Sequence, residues 1–249
     1  LFPYTTLFRS RFKIGFGLGH VEKIYDPNTN NKNIAISSHF NANVIFKIEK
    51  NFIFDKHAVY IGGGLTHFSN GSFQTPNLGL NFVSFNAGYS LFSQRKKIVT
   101  YENSNLNYIR KFNFGVAYRL GFRENFEPFR KKYAIQTFSF YSIYSKNKKR
   151  NYLGGLDVYY NPSVSFYGES ISKLQAGIFV GKEWLINQLI LGIDIGGHVY
   201  DDYKEDGISY QRLNISYLLT EKLKATFLLK THWTVAQAFQ LGIAYEIKK

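Results

Sequence analysis

His67 and Ser69 stand two residues apart in a stretch, Gly62 to Asn81, that reads GGGLTHFSNGSFQTPNLGLN. An imidazole next to a hydroxyl is the least that base-activated attack on a carbonyl requires. Side chains alternate along a β-strand, so residues i and i+2 share a face. Counted backwards, the face of His67 and Ser69 carries Leu65, Gly63 and Ile61, an apolar row that ends in two reactive groups. In the next stretch, LGLNFVSFNAGYSLF, one parity holds Val83, Phe85, Ala87, Tyr89 and Leu91, and the other Ser84, Asn86, Gly88 and Ser90. Asn81 belongs to the apolar parity. A hairpin around NGSFQTPN, punctuated by Gly71 and Pro76, returns Asn81 to the side of His67 and Ser69. Nucleophile, base and a group able to orient the base then share one face, which is the geometric requirement of triad chemistry. Ser72 is a second hydroxyl, but its turn position and opposite parity make it the poorer nucleophile.

The elements that must position these residues read as strands throughout. Of 249 residues 18% are aromatic, with 24 Phe, 19 Tyr and only 5 Pro, yet mean hydropathy is −0.22. The apolar area is therefore spread between polar residues, as alternating strands spread it. About twelve such segments follow one another without a linker or low-complexity stretch. The clearest alternate Phe112, Phe114, Val116, Tyr118, Leu120 and Phe122 with Asn113, Gly115, Ala117, Arg119 and Gly121; Leu189, Leu191, Ile193 and Ile195 with Gly192, Asp194 and Gly196; and Phe239, Leu241, Ile243, Tyr245 and Ile247 with Gln240, Gly242, Ala244 and Glu246. No run of roughly 18 apolar residues exists to make a transmembrane helix. Alternation rich in aromatics, without such runs, predicts an all-β chain folded as an antiparallel transmembrane β-barrel of the outer-membrane type, apolar outside and polar within. Short turns at Leu185 to Asn187 and Thr220 to Lys222, against a longer loop from Tyr200 to Gly207, orient the barrel so that the Gly71 to Asn77 turn is external.

The motif His67-Phe68-Ser69-Asn70, followed by Pro76-Asn77-Leu78-Gly79, resembles the PagL family of lipid A 3-O-deacylases, outer-membrane esterases marked by His-x-Ser-Asn and a Pro-Asn-x-Gly turn. The resemblance spans about residues 11 to 92. It implies that His67 is the general base, that Ser69 is the nucleophile, and that Asn70 is linked to the oxyanion site. Asn70 falls on the parity opposite to Ser69 in a regular strand, so this role requires the backbone to bend there. The family's acidic third member falls on Asn81, an amide; Cys-His-Asn enzymes show that an amide can orient a catalytic imidazole. The later part, including LKTHWTVAQAFQLGIAY, is similar to the C-terminal extension of longer acyloxyacyl hydrolase-like relatives.

Composition narrows the rest. With no cysteine, disulfides, thiolate catalysis and structural zinc sites are excluded. The net charge of +14 sits mostly in loops, at Arg95-Lys96-Lys97, Arg130-Lys131-Lys132 and Lys146 to Arg150. Each reads first as a solvated loop and second as a contact for lipid phosphates; nucleic acid is not expected, because no recognition module accompanies the charge. His20, His39, His57, His198 and His232 lack metal-site spacing. Asp201, Asp202, Glu205 and Asp206 read as a solvated acidic loop rather than a calcium loop. Gly15, Gly17 and Gly19 sit in a strand pattern with no helix after them, unlike a dinucleotide fingerprint. Residues 1–10, LFPYTTLFRS, resemble the in-frame translation of a sequencing adapter and are set apart; together with the absence of methionine they suggest a fragment that lacks N-terminal strands and a signal peptide. Residues 11–249 are expected to form a single barrel domain, with the catalytic part in 11–92 and further barrel strands in 93–249.

These readings converge on an outer-membrane esterase of a Gram-negative bacterium that hydrolyses an acyl ester of lipid A, with its site facing the outer leaflet. His67, Ser69, Asn70 and Asn81 would carry the reaction, with neither metal nor organic cofactor. Lipid A, or lipopolysaccharide, and the membrane are the partners. A non-catalytic barrel, a pore or envelope scaffold with a decayed site, is the alternative.

Overall fold

The structure is a computed structural model and describes residues 7–54, 56–92, 109, 111–125, 131–203, 207–233 and 235–247. Arg95 to Lys97, Arg130, Glu205, Asp206 and the first six residues of the adapter-like segment lie outside these. The chain divides into two compact units, one of residues 1–70 and 77–102, the other of residues 71–76 and 103–249.

In the first unit β1 (Leu7–His20), β2 (Phe40–Phe54), β3 (His57–Ser69) and β4 (Leu80–Leu91) form an antiparallel sheet in chain order. Its two faces have the chemistry that the alternation dictates. One exposes Phe12, Leu18, Ile48, Ile61, Val83 and Phe85. The other gathers Lys13, whose ammonium lies 2.7 Å from the buried Glu49 carboxylate, and Asn86, which donates to Glu49 at 3.4 Å. The β1–β2 connection folds back on itself: the Tyr25 amide donates to the Ile36 carbonyl at 2.8 Å, and Asp26 accepts from the amides of Asn28 and Thr29 at 2.9 and 2.7 Å.

The second unit is a closed antiparallel barrel of eight strands: β5 (Lys111–Glu124), β6 (Lys132–Asn147), β7 (Arg150–Tyr160), β8 (Leu174–Ile186), β9 (Leu189–Tyr200), β10 (Ser209–Leu218), β11 (Leu223–His232) and β12 (Val235–Ile247). Successive strands pair, and β12 closes the cylinder on β5, with Leu241 opposite Leu120 and Ile243 opposite Tyr118. Twelve strands are thus present among the described residues, but eight of them complete the barrel, which corrects its expected strand number from about twelve. Alternation identifies a strand and its faces; it does not say which distant strand will close the ring.

Inside and outside are inverted relative to a water-soluble protein. Phe112, Tyr118, Leu120, Phe122, Leu241 and Ile243 are exposed, whereas Lys230 and Asp157 are 0% and 1% exposed. This is the pattern of a lipid-facing barrel with a polar interior. Eight strands leave just enough room inside for side chains, and here polar ones fill much of it, beside a buried cluster of Ala117, Tyr141, Ile143, Phe179 and Ala244. Asp157 accepts hydrogen bonds from Ser139, Tyr159, Tyr210 and Arg212 at 2.6, 2.8, 2.9 and 2.5 Å. The Arg212 guanidinium also bonds Asp194 at 2.8 Å and stacks 3.8 Å above the Phe179 ring. Further along, Lys224 pairs with Glu246, and Asn151 donates to Glu183 at 3.0 Å.

Because Arg212 is the cation that pairs directly with both Asp157 and Asp194, Arg212→Ala should destabilise the barrel by roughly 3–5 kcal/mol, the usual penalty for removing one partner of a buried ion pair. Urea unfolding in phosphatidylcholine vesicles measures this. An unchanged midpoint would show that water reaches the cluster.

Candidate functional site

The β3–β4 ladder sets His67 directly opposite Asn81, so the hairpin brings base and amide together as their parity requires. His67 Nδ1 lies 2.8 Å from Asn81 Oδ1. A carbonyl oxygen can only accept, so Nδ1 carries the proton and Nε2 is left as an acceptor. Both residues lie on the apolar, exposed face of the sheet, in line with Ile61, Leu65, Val83 and Phe85. On the opposite face Phe68 packs edge-on against Phe82, with ring centroids 5.8 Å apart, which ties the two strands at the level of the site.

Ser69 is the last residue of β3 and is only 4% exposed. It pairs with Ala42 of β2, next to the pairing of His67 with Val44. Among the described residues no hydrogen bond joins Ser69 to His67. Beyond Ser69 the chain leaves the strand: Asn70 is irregular, and Gly71 and Ser72 are both left-handed, with φ of +61° and +64°. The chain thus turns just after Asn70, at Gly71 and Ser72. Asn70 is also buried and tethered on two sides. Its backbone N–H donates to Asn77 Oδ1 at 3.1 Å, and its side-chain amide donates to Ser37 Oγ at 3.2 Å. Ser72, the alternative hydroxyl, donates instead to the Ala236 carbonyl at 2.6 Å within the barrel unit.

Three further residues shape the site. Asn77, quoted in the motif only as part of a turn, holds the backbone just after Ser69. Ser37 is fully buried and comes from the β1–β2 connection, whose Ile34 and Ala35 carbonyls accept from the Leu78 and Gly79 amides at 3.3 and 3.0 Å. No periodic pattern marks Ser37, and its contact with Asn70 is a long-range one that the sequence does not announce. Gly79 is the third. It is left-handed, with φ +75°, and a Cβ there would stand 2.7 Å from His67 Cε1, 3.3 Å from Nε2 and 2.9 Å from the Phe68 carbonyl oxygen. The glycine thus lets the backbone lie flat against the imidazole.

Gly79→Ala should therefore push the ring off its position as well as strain the backbone. Because a displacement near 1 Å can lower a rate by about 10², we expect a loss of that order in ester hydrolysis, with little change in the amount of folded protein. Initial rates on a soluble acyl ester decide it, and a wild-type rate would show that the ring has room to move.

His198 and His232 stack 5.7 Å apart inside the barrel, far from metal-site spacing in sequence, and among the described residues no group of three or more His, Asp or Glu could hold a metal ion. Asp202 accepts from the Ser172 amide of the β7–β8 connection at 3.2 Å, and Asp201 from the Tyr203 amide of its own loop at 2.9 Å, so both carboxylates are engaged by backbone N–H groups.

Comparison with known proteins bears on both halves of the chain. Residues 3–90 match the family model described as lipid A 3-O-deacylase (PagL), and residues 110–249 match the model described as acyloxyacyl hydrolase, C-terminal domain. No curated protein sequence matches. Among solved structures, a de novo designed transmembrane β-barrel is 13% identical, with 54% of this chain and 95% of that one covered and a TM-score of 0.34. A mutant of the Rh. blastica porin is 9% identical, with 97% and 100% covered and a TM-score of 0.26. The architecture rests on the strand ladders themselves. With the second family model spanning more than half its length and the first spanning the His-x-Ser-Asn motif, the chain belongs to the PagL-type acyloxyacyl hydrolase family.

Proposed function

We propose that this protein hydrolyses an acyl ester of lipid A in the outer membrane of a Gram-negative bacterium by a serine–histidine mechanism. The observation that carries the reading is the 2.8 Å bond from His67 Nδ1 to Asn81 Oδ1, which turns Nε2 into the acceptor on the face that Ser69 shares. Nε2 takes the Ser69 proton as Oγ attacks the ester carbonyl. Negative charge then develops on the carbonyl oxygen, and Asn70, fixed by Asn77 and Ser37, together with backbone N–H groups of the bend, stabilises it. The imidazolium returns its proton to the departing sugar hydroxyl. Water, deprotonated by the same imidazole, releases the fatty acid from Ser69. In this reading the Ser69–His67 hydrogen bond, not formed in the free protein, forms when substrate is bound, as catalytic hydrogen bonds commonly tighten only then.

The surroundings suit an acyl substrate. Ile61, Leu65, Val83 and Phe85 extend from the site along the exposed apolar face, so an acyl chain can lie against the sheet without entering any lumen. The sheet itself supports the orientation. Its β2–β3 turn is short, Phe54 being followed closely by His57, whereas the β1–β2 and β3–β4 connections, 21–39 and 70–79, are long and lie at the end that carries Ser69. Long connections are external in outer-membrane barrels, which supports a site that faces the outer leaflet, where lipid A resides.

The scaffold reading draws on Asn81, an amide where the family pattern has an acid. Mass spectra of lipid A from cells making the protein separate the two. Loss of one acyl chain from lipid A, abolished by Ser69→Ala, supports the esterase. Lipid A unchanged by the wild type leaves the scaffold.

A further inference from the structure

On the outward face of the barrel the apolar band stops abruptly at the end with the short turns. Phe138, Phe140, Leu156, Val158, Ile178 and Val180 are exposed there, and the next rows are of a different kind. The ladders put Tyr144 opposite Tyr152, Tyr152 opposite Lys182, and Arg150 opposite Trp184. Two ammonium groups converge on one ring: Lys146 and Lys182 each lie 5.9 Å from the centre of Tyr152, and Lys182 also lies 5.0 Å from that of Trp184. Among the described residues neither lysine has a carboxylate within ion-pair distance. Their charge is held by aromatic faces, and like charges gathered in this way want an anion.

Directly above, the outward positions narrow to Ser142 and Gly154, whose small side chains leave a dent in the apolar band; the Ser142 hydroxyl is turned back to the Gly154 carbonyl at 3.0 Å. A groove that is apolar along its length, with a cationic and aromatic rim at one end, has the polarity of a phospholipid.

We propose that this patch binds an anionic phospholipid, with the headgroup phosphate between Lys146 and Lys182 and an acyl chain over Gly154 beside Leu156 and Val180. Trp184 and Tyr152 sit at the level of the headgroup, where amphipathic rings are favoured. Each basic side chain at a membrane surface favours anionic over neutral lipid by roughly fivefold. Two lysines sharing one headgroup act on the same charge, so the preference expected is about tenfold, short of the roughly 25-fold of two independent contacts. The site is separate from the ester-cleaving one and does not depend on that assignment.

Trp184 supplies the measurement. The chain has 2 tryptophans, so Trp233→Phe leaves Trp184 as the reporter. The protein is reconstituted in phosphatidylcholine vesicles that contain a rising fraction of either phosphatidylglycerol or phosphatidylcholine with brominated acyl chains, which quench tryptophan on contact. Brominated phosphatidylglycerol should reach half-maximal quenching at about one-tenth the mole fraction of brominated phosphatidylcholine. In Lys146→Gln/Lys182→Gln the two curves should merge, and Lys182→Gln alone should fall between. The phosphatidylcholine curve must stay the same in every variant, which certifies that each is folded and inserted. Inorganic phosphate at millimolar concentration should leave the preference in place, because the acyl groove contributes to it. Superimposable curves for the two lipids in the lysine-bearing protein, a preference that survives in the double variant, or displacement by phosphate alone would each overturn the proposal.

Discussion

Ser69→Ala is expected to lower ester hydrolysis by about 10⁴ or more, and His67→Ala by a similar factor, because each removes the one group that makes the other useful. The two losses should not multiply. A nucleophile without its base, or a base without its nucleophile, leaves only whatever the oxyanion donors and binding supply, so the double variant should be close to either single one. The measurement is initial rates on a soluble acyl ester in detergent, alongside the circular dichroism of each variant. Neither residue belongs to the barrel unit or its polar interior, so the β signal should be retained. A rate for Ser69→Ala within tenfold of wild type would remove Ser69 as the nucleophile. Ser72 is a poor substitute, since its hydroxyl is already committed to the Ala236 carbonyl at 2.6 Å.

How much of this could be read from residues alone differs from element to element. Asn81 was legible beside His67 because a hairpin preserves parity and the turn between the strands is marked by Gly71 and Pro76. The faces of β5 and β12 were legible for the same reason: period two with lipid outside forces Phe112 to Phe122 outward and leaves Arg119 inside, 7% exposed. Charged residues at isolated inward positions, such as Arg119 and Asp194, were a usable sign of the polar interior. Which strands close the ring was not legible, since the pairing of β12 with β5 depends on the curvature of the whole sheet and on no local pattern. The support of the site escaped in the same way. Ser37 reaches Asn70 through an irregular connection with no periodicity, and the closeness of Gly79 to the imidazole follows from a left-handed backbone that a glycine permits but does not announce.

At position 81 the chain departs from the chemistry its family pattern leads one to expect, and the departure can be tested in both directions. Asn81 Oδ1 accepts from His67 Nδ1 at 2.8 Å, which fixes the ring and its tautomer. What a neutral amide does not supply is a full negative charge for the imidazolium that the proposed attack by Ser69 creates. In a serine protease the exchange of the orienting Asp for Asn lowers turnover by about 10⁴, chiefly through the wrong tautomer. Here the oxygen already faces Nδ1, so the tautomer is right and only the charge is missing. Asn81→Glu should therefore raise the rate, by roughly 10–100-fold if the longer side chain keeps the bond, while Asn81→Ala should lower it by about 10² or more because the ring loses its anchor. The site lies on an exposed face of β4, so neither change requires the sheet to repack. The comparison is made on one soluble acyl ester, with wild type and both variants in the same detergent. Equal rates in all three would show that position 81 does not orient His67. A fall in Asn81→Glu together with a fall in Asn81→Ala would instead mean that the amide is the fitted partner, its shorter reach matched to the ring that Gly79 backs.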